Sequence, residues 1–356
     1  MTISYDLTAE SSGRPGPLPR IGLLGTGPWA HRTHAPALAA HAGSEFAGVW
    51  GRRPEAAAGL AEKHGVKVYE DPDALFADCD AVAFALPPDV QAPLAVRAAA
   101  AGCHLLLDKP VATNVADARA VAEAADRHGV ASVVFLTLRF AEPAAGWVAE
   151  QAGRKGWFTA SAHWLGAVFG PGGDAGAAGA PSPYADSPWR RAKGGLWDVG
   201  PHALSVLIPV LGDVTDVTAA RGPAGTVTLL LRHDSGAAST AVLTLAAPRA
   251  AAGVGLELRG SEGVFALPDW GDVPGAYGRA VDALLTAART GVPDPRGASF
   301  GLRLTEILAA AEDRLAAADG PAGVDGPAGV DGPAGVDGPA GAEGPAAAGG
   351  PVGGAG

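Results

Sequence analysis

Short apolar runs alternate with helical patterns of polar and apolar residues between positions 20 and 140. Six runs have the length and the continuous hydrophobicity of strands buried in a parallel sheet: "RIGLLG", "FAGVW", "VKVY", "DAVAFAL", "HLLL" and "ASVVFLTL". Helical patterns cover Pro54–His64 and residues 114–128, and each is followed by a glycine, which commonly ends a helix. This alternation predicts a doubly wound α/β domain with a parallel sheet over residues 19–140.

After Arg139 the pattern changes. The segment "WFTASAHWL" and two longer stretches, "TVTLLLRHDSGAASTAVLTLAA" and "VGLELRGSEGVFAL", have the character of antiparallel strands, and "HDSG" and "GSEG" are typical turn sequences. Two helical stretches follow, "AYGRAVDALLTAART" and "GLRLTEILAAAEDRLAAA". We therefore expect an α+β substrate and oligomerisation domain over residues 141–318, with a mainly antiparallel open sheet.

Both ends differ in composition from the rest of the chain. Residues 1–18 are polar and rich in Ser, Gly and Pro, and we expect a flexible arm there. From Gly320 to Gly344 glycine occupies every third position, which is the pattern of a collagen strand, so a trimerising triple helix is one interpretation. The tract is short and acidic and cannot bury a core, which favours a disordered Gly-Pro-rich tail over residues 319–356.

Composition restricts the class of protein. The 356 residues carry a formal charge of −11 and no basic stripe, which argues against a nucleic-acid partner. The chain has no apolar run of membrane-spanning length and no signal-peptide pattern, so we expect a cytoplasmic protein without a membrane partner. Cys79 and Cys103 lack a metal-binding spacing, and His31 and His34 have no third ligand nearby, so no metal site is expected.

The sequence "GLLGTGPWA" joins the first predicted strand to a helix. Its spacing is G-x-G-x-x-A, in which Gly25 permits a tight turn, Gly27 lets the main chain approach a pyrophosphate, and Ala30 lets the helix pack closely on the sheet. An ordinary strand-to-helix turn is the alternative, but the βαβ context favours dinucleotide binding, so we expect a Rossmann-type dinucleotide-binding domain over residues 19–140. The glycine loop, as we name it, consists of Gly25, Thr26, Gly27, Pro28, Trp29 and Ala30.

The second predicted strand ends in "VWGRRPE". An acidic residue at this place is typical of NAD-binding proteins, because it binds the ribose 2′-hydroxyl, whereas guanidinium groups match a 2′-phosphate. Arg52 and Arg53 therefore indicate NADP as the preferred cofactor, with NAD as the second choice. The alternative is that both arginines are solvated surface charges.

Two further segments carry candidate chemistry. "HLLLDKP" places Asp108 and Lys109 at the carboxyl end of the fifth strand, where ligands of open α/β sheets bind, and a surface turn is the alternative. "KGGLWDVGPH" places Asp198 and His202 four residues apart, so that on one helix they share a face. Here the alternative is that Asp198 caps a helix and that His202 is a satisfied interface histidine.

With these segments in order, the chain resembles the glucose-fructose oxidoreductase, inositol dehydrogenase and rhizopine-catabolism family (Gfo/Idh/MocA). The resemblance covers roughly residues 19–318 and rests on "IGLLGTGPWA", "AFALPPDVQAPLAVRAAAAGCHLLLDKPVATNVADA", "WRRAKGGLWDVGPHALS" and "LELRGSEGVFAL". It implies hydride transfer between a nicotinamide cofactor and a carbinol or carbonyl carbon of a sugar-like or cyclitol-like small molecule. It also implies a homodimer or homotetramer, because relatives commonly bury the open face of such a sheet between subunits.

The resemblance further implies roles for particular residues. Lys109, Asp198 and His202 would be the catalytic group, with the imidazole as acid/base and the ammonium polarising the reacting oxygen. The cofactor would be bound by the glycine loop, Arg52, Arg53, Leu86, Pro87, Asp108 and Lys109. Arg139, Trp189 and Arg190 would contact substrate or cofactor.

Three positions depart from the family pattern. Asp108 replaces the usual glutamate, Gln91 a frequent histidine and Ser205 a frequent aspartate, so the substrate stays open. The competing interpretation is a cofactor-sensing regulatory protein that keeps the fold without turnover. Intact Lys109, Asp198 and His202 count against it, because a binding module has no need to retain all three.

Overall fold

The computed structural model describes residues 17–171, 182 and 184–319. The predicted flexible arm, apart from residues 17 and 18, and the predicted tail, apart from Asp319, lie outside the described residues, so both stay predictions. None of the described helices is both long enough and apolar enough to cross a membrane.

The first sheet contains the six strands expected from the sequence. They are β1 Arg20–Leu24, β2 Glu45–Trp50, β3 Lys67–Tyr69, β4 Ala81–Phe84, β5 His104–Asp108 and β6 Ser132–Phe135. All pairs are parallel and the strand order is β3-β2-β1-β4-β5-β6. All residues of β4 are buried, which explains the continuous apolar runs. The predicted doubly wound sheet is confirmed, and its order reverses between β1 and β4, which is where such sheets bind ligands.

Helices connect these strands. A π-helical turn, Ala30–His34, leads into α1 Ala35–Ala40, and α2 Pro54–His64, α3 Pro72–Asp78, α4 Pro88–Ala100 and α5 Val115–His128 follow. The glycines expected to end α2 and α5 do so with φ of 65° and 64°. Asn114 is the cap of α5 and not its first residue, since its side chain accepts a hydrogen bond from the N–H of Asp117.

The second half of the chain forms another six-stranded sheet. The strands are β7 Trp157–Leu165, β8 Val214–Arg221, β9 Val227–His233, β10 Ala238–Thr244, β11 Gly253–Gly260 and β12 Gly263–Ala266. The helices of this half are α6 Ala144–Gly153, α7 Pro188–Asp198, α8 Gly200–Leu211, α9 Val273–Thr290 and α10 Ala298–Ala318. The strand order is β12-β11-β7-β10-β9-β8, and only the β7–β10 pair is parallel. The predicted mainly antiparallel sheet is confirmed, and its two expected hairpins join β9 to β10 and β11 to β12.

One face of this second sheet packs against α8 and α10. Along β9, buried Val227, Leu229 and Leu231 alternate with exposed Thr228 and Leu230. Such alternation is typical of a sheet that packs on one side, so within the described part of the chain the other face is open.

Helix α9 returns to the first sheet and packs against α1, β5 and β6. Its fully buried Tyr277 contacts Phe135 at the end of β6, with ring centroids 4.8 Å apart. The domain boundary predicted at residue 140 places α9 in the second domain. In the structure this helix helps to close the core of the first domain.

Candidate active site

Two neighbouring cavities lie where β1, β2, β4 and β5 end. The larger cavity has a volume of about 650 Å³ and is lined by Gly25, Thr26, Gly27, Pro28, Trp29, Gly51, Arg52, Arg53, Ala85, Leu86, Pro87, Asp108, Lys109, Tyr184, Asp186, Ser187, Pro188, Trp189 and Arg190. The smaller cavity has a volume of about 310 Å³ and is lined by Trp29, Asp108, Lys109, Phe135, Thr137, Trp164, Gly166, Val168, Tyr184, Arg190, Asp198, Val199, His202, Leu245, Trp270 and Val273. Asp108 and Lys109 line both, so they lie where the cavities meet.

The glycine loop leaves the room that a pyrophosphate needs. Gly25 has φ of 121°, and a Cβ there would lie 2.2 Å from the carbonyl oxygen of Ala85, so only glycine fits this turn. A Cβ on Gly27, in contrast, would meet no atom within 4 Å, which leaves an open cradle beside the main chain. Ala30 is fully buried and does not line the larger cavity, in keeping with the packing role that the spacing predicts. These residues fit a dinucleotide.

The end of β2 has no room for the acidic side chain that holds an NAD ribose. A Cβ on Gly51 would lie 2.6 Å from the side chain of Thr26 in the glycine loop. Arg52 and Arg53, the next two residues, both line the larger cavity. Both residues are exposed and lie at the end of the cavity for which the sequence suggested a 2′-phosphate.

Gln91 of α4 supports the strand end that carries Asp108 and Lys109. The buried amide donates to the carbonyl oxygens of Asp108, Pro110 and Val111 at 2.9, 3.3 and 3.1 Å, and its oxygen accepts the N–H of Asp108 at 2.9 Å. In the sequence, Gln91 stands out only as a departure from the family pattern. In the structure it fixes the main chain on which Lys109 stands.

Lys109, Asp198 and Arg190 form a largely buried ion cluster. The Lys109 ammonium donates to Oδ1 of Asp198 at 2.9 Å and to its carbonyl oxygen at 2.6 Å, and Arg190 Nε donates to Oδ2 at 3.0 Å. The exposed fractions of the three side chains are 14%, 10% and 21%. Burial alone would raise the pKa of Asp198, but Lys109 and Arg190 outweigh it and lower the pKa to about 2. Asp198 is therefore a carboxylate clamped between two cations.

The break between α7 and α8 sets the direction of Asp198 and His202. The prediction that both lie on one helix was wrong, because Asp198 ends α7 and α8 begins at Gly200. Both side chains still line the smaller cavity. The capping alternative for Asp198 does not hold either, since its carboxylate oxygens are taken by the two cations and no cap hydrogen bond from it is seen in this described segment.

His202 is buried against an aromatic wall. Its ring stacks on Trp164, with centroids 4.4 Å apart and an angle of 17° between the planes, and Trp164 in turn lies 5.8 Å from Trp270. Its Nδ1 has no hydrogen-bond partner among the described residues. Burial and the nearby Lys109 ammonium lower the pKa of His202 well below 6.5, in spite of Asp198. The imidazole is therefore neutral at pH 7.

The remaining predicted residues lie in three different places. Arg190 lines both cavities, and its guanidinium stacks over the rings of Trp189 and Tyr184 at 4.6 and 4.7 Å. Trp189 lines only the larger cavity. Arg139 lines neither of them and donates to the carbonyl oxygen of Ser205 at 3.1 Å, so its position does not support a substrate contact.

Sequence reasoning missed the aromatic wall of the smaller cavity. Trp164 comes from β7, Tyr184 precedes α7, and Trp270 lies between β12 and α9. Single aromatic residues on separate elements leave no spacing signal, so only the folded chain reveals that they face one cavity. Within the described residues no three His, Cys, Asp or Glu side chains come close enough together to hold a metal ion.

The parallel sheet, the open glycine cradle and the adjoining cavities define a dinucleotide-binding protein of the Rossmann class. Residues 19–136 match the model of the Gfo/Idh/MocA proteins, described as an oxidoreductase family with an NAD-binding Rossmann fold. The resemblance to the Gfo/Idh/MocA oxidoreductases that the motifs indicated is therefore confirmed, and residues 19–136 are the part of the chain that the family model matches.

Two curated relatives are similar over part of their length. The dTDP-3,4-didehydro-2,6-dideoxy-alpha-D-glucose 3-reductase of Streptomyces violaceoruber is 37% identical over 113 residues, which are 31% of this chain and 33% of that protein. The UDP-N-acetylglucosamine 3-dehydrogenase of Acidithiobacillus ferrooxidans is 34% identical over 115 residues, 32% of this chain and 36% of that protein. The matches thus span about a third of the relatives' length.

Solved structures match over most of the chain. GenD2 from gentamicin A biosynthesis, in complex with NAD, superposes with a TM-score of 0.71 at 21% identity and covers 85% of this chain and 96% of its own. A putative myo-inositol dehydrogenase from Sinorhizobium meliloti gives 0.69 at 22% identity, covering 84% and 98%. At this identity the likeness establishes the fold of both halves of the chain.

Proposed function

We propose that this protein is an NADP-dependent oxidoreductase that acts on a carbinol or carbonyl carbon of a sugar-like or cyclitol-like small molecule. The observation that carries the proposal is the placement of Lys109, Asp198 and His202 around a cavity that shares lining residues with the cavity of the glycine loop. A dinucleotide in the larger cavity and a substrate in the smaller one would meet beside Asp108 and Lys109.

The larger cavity offers a place for each part of the cofactor. Main-chain groups of the cradle at Gly27 would receive the pyrophosphate, Arg52 and Arg53 the 2′-phosphate, and Leu86 and Pro87 would contact the rest of the molecule. The bound cofactor supplies the acceptor or donor of a hydride. The absence of room for an acidic residue at Gly51 supports NADP over NAD.

His202 would act as the acid/base. A hydroxyl proton must leave as a hydride leaves the same carbon, and a neutral imidazole accepts that proton at pH 7. In the opposite direction the same nitrogen returns the proton to the developing alkoxide. The lowered pKa of His202 and its place in the lining of the smaller cavity support this role.

Lys109 would stabilise the charge on the reacting oxygen. An ammonium has three N–H donors, and Asp198 takes two of them. The third is free for a substrate oxygen in the smaller cavity, where its charge stabilises the alkoxide. Asp198 and Arg190 would hold the ammonium in place without reacting.

The smaller cavity suits a compact ring with apolar and polar edges. Its volume of about 310 Å³ is at the lower end of ligand cavities, and Trp29, Trp164, Tyr184 and Trp270 line it. Aromatic faces match the C–H surface of a sugar or cyclitol ring, and the polar groups of Lys109 match its hydroxyls. The two curated relatives are named as a reductase and a dehydrogenase of nucleotide-linked sugars, which supports a sugar substrate.

The first experiment is a fluorescence titration of the purified protein with NADPH and, separately, with NADH. We expect NADPH to bind at micromolar concentration or below, with NADH weaker, and the Arg52→Ala variant to reduce that preference. Tighter binding of NADH than of NADPH would contradict the assignment of Arg52 and Arg53 to a 2′-phosphate. Failure of both cofactors to bind at micromolar concentration would overturn the proposal itself.

Replacing His202 with Asn separates an enzyme from the competing regulatory protein. We expect turnover of polyols or ketoses to be lost while NADPH binding stays within about twofold, because His202 does not line the larger cavity. A protein that binds NADPH yet turns over no sugar, ketose or cyclitol would favour the cofactor-sensing alternative.

The open face of the second sheet supports a homodimer or homotetramer. Leu230 and Val264 there are 46% and 51% exposed, more than is usual for large apolar side chains. Light scattering after size-exclusion chromatography would give the mass, and a monomer would contradict this part of the proposal.

A further inference from the structure

Buried polar groups lie beside the glycine loop and line neither cavity. His34 of the π-helical turn and Tyr277 of α9 are fully buried, with ring centroids 4.3 Å apart. His34 Nε2 and the Tyr277 hydroxyl have no hydrogen-bond partner among the described residues. His34 Nε2 lies 4.0 Å from Oδ2 of Asp108, the residue that lines both cavities. His34, which takes no part in the proposed reaction, thus faces the carboxyl of Asp108, where the two cavities meet.

Local geometry places the ring proton of His34. Its Nδ1 lies 3.4 Å from the carbonyl oxygen of Trp29, and a carbonyl only accepts, so we assign the proton of the neutral ring to Nδ1. Nε2 then presents a lone pair to Asp108. The other carboxyl oxygen of Asp108, Oδ1, already accepts the N–H of Lys109 at 2.7 Å. Two acceptors, Nε2 and Oδ2, therefore face each other unless a proton lies between them.

We propose that His34 is a positioning residue: it accepts a hydrogen bond from the protonated carboxyl of Asp108 and so keeps that carboxyl neutral and fixed beside Lys109. A shift of about 1 Å brings Oδ2 from 4.0 Å to hydrogen-bond length from Nε2. The inference rests on the proposed function, because its consequence for the reaction passes through Lys109.

A neutral Asp108 matters because Lys109 has one free donor. The ammonium lowers the pKa of the Asp108 carboxyl, so the two groups attract each other when the carboxyl is ionised, and an ammonium drawn toward Asp108 would offer less of its third N–H to a substrate oxygen. Gln91 holds the main chain of Asp108 but does not contact its carboxyl in the hydrogen bonds of the described residues. His34 is thus the group placed to control that carboxyl.

The charged and titratable groups around Asp108 agree with this arrangement. Burial raises the pKa of the Asp108 carboxyl to about 6, against the lowering influence of Lys109 and Arg190, and Asp198 adds to the rise. The hydroxyl of Tyr277, whose own pKa burial raises well above 10, stays neutral and adds no charge. A hydrogen bond from the neutral carboxyl to His34 raises the pKa further.

The surroundings of His34 agree as well. Burial lowers its pKa to about 4, against the opposing carbonyl oxygens of Trp29 and Phe84. Between about pH 4 and pH 6 the carboxyl of Asp108 holds the proton and the imidazole does not, and we expect the hydrogen bond to His34 to extend this range above pH 6. The direction of the hydrogen bond follows from this order.

Nuclear magnetic resonance of protein labelled with 15N at histidine tests the arrangement without turnover. The spectrum of His34→Gln identifies the His34 signals by their loss. We expect the Nδ1–H tautomer, a ring that stays neutral from pH 8 to pH 5, and a shift of its Nε2 signal at a pH above 6 that disappears in Asp108→Asn. An Nε2–H tautomer, or a ring insensitive to Asp108, would overturn the proposal even if the protein is an active oxidoreductase.

Turnover provides the second test. His34→Gln supplies an acceptor near the place of Nε2, whereas His34→Leu does not. We expect His34→Leu to lower kcat about tenfold at pH 7, with KM for NADPH within about twofold, and His34→Gln to recover most of the loss. The alkaline limb of the kcat profile should move to lower pH in His34→Leu and vanish in Asp108→Asn, whose amide remains a neutral donor.

His31→Gln is the matched control, since it makes the same change in the same π-helical turn. It should leave kcat and the pH profile unchanged. Equal losses in His34→Gln and His34→Leu, or an alkaline limb that stays in place, would show that His34 has only a structural role. If no substrate is turned over, the labelled histidine spectra still decide whether the hydrogen bond exists.

Discussion

Replacing Asp198 with Asn tests the ion cluster of the candidate site. The carboxylate accepts from Lys109 at 2.9 Å and from Arg190 at 3.0 Å, and all three side chains are largely buried. Asparagine keeps the shape of the side chain and removes its charge. Two cations are then left without their anion in a place with little water, and we expect a large loss of stability.

The pKa of Asp198 sets the scale of the effect. Burial would raise it, but the two cations lower it from 3.8 to about 2. This difference of about 1.8 units corresponds to about 2.5 kcal/mol. Removing one partner of a buried ion pair typically costs about 3–5 kcal/mol, so the free energy of unfolding should fall by about 2–4 kcal/mol at pH 7. Because the folded pKa lies below the unfolded one, this stabilisation is present above about pH 4 and is lost as the pH falls toward 2.

Urea unfolding followed by circular dichroism measures the loss at pH 7 and again near pH 3, where the difference from the unaltered protein should shrink. The control is Asp216→Asn, whose partner Arg314 lies at 3.7 Å with both side chains more than half exposed, at 51% and 64%. It should cost less than about 1 kcal/mol. If both variants lost the same small amount, the argument that Asp198 is clamped between buried cations would be wrong.

Three further predictions concern binding and turnover. Gly27→Ala should weaken NADPH binding at least tenfold, as fluorescence titration would show, and leave the melting temperature unchanged. Gly25→Ala should lower the melting temperature measured by calorimetry, because only at Gly25 would the new Cβ strike the main chain. Equal stability of the two variants would contradict the geometry. Since the pKa of His202 is lowered well below 6.5, kcat/KM for oxidation should show no step from His202 between pH 6.5 and 8 and should fall only at lower pH. Nuclear magnetic resonance of protein labelled with 15N at histidine checks this titration without turnover. A His202 signal, identified by its loss in His202→Asn, that titrates above pH 6.5 would refute the prediction. Trp164→Leu should reduce kcat several-fold, because the ring that stacks on His202 is lost, whereas Trp164→Phe should retain most of the kcat. Equal kcat in the two variants would show that the stack does not position His202.

Much of the first sheet could be predicted because buried parallel strands leave continuous apolar runs and helices end at glycines such as Gly65. The site depends on longer-range information. Lys109 and Asp198 are 89 residues apart in sequence, and their contact follows from the way the second half of the chain packs on the first. No local spacing encodes that contact, so the prediction that Lys109 and Asp198 share one site rested on the family resemblance and not on periodicity. The break at Val199, which a four-residue spacing hides, needed the structure.

Gln91 and Asp108 illustrate why departures from a family pattern are best considered together. The Gln91 amide makes contacts with three carbonyl groups and one N–H, more than the two ring nitrogens of a histidine could satisfy at once. With the main chain so held, the short side chain of Asp108 reaches back to the N–H of Lys109 and keeps its second oxygen toward His34. The two substitutions therefore fit one local arrangement, in which the carboxyl serves the position of Lys109 and not the substrate directly.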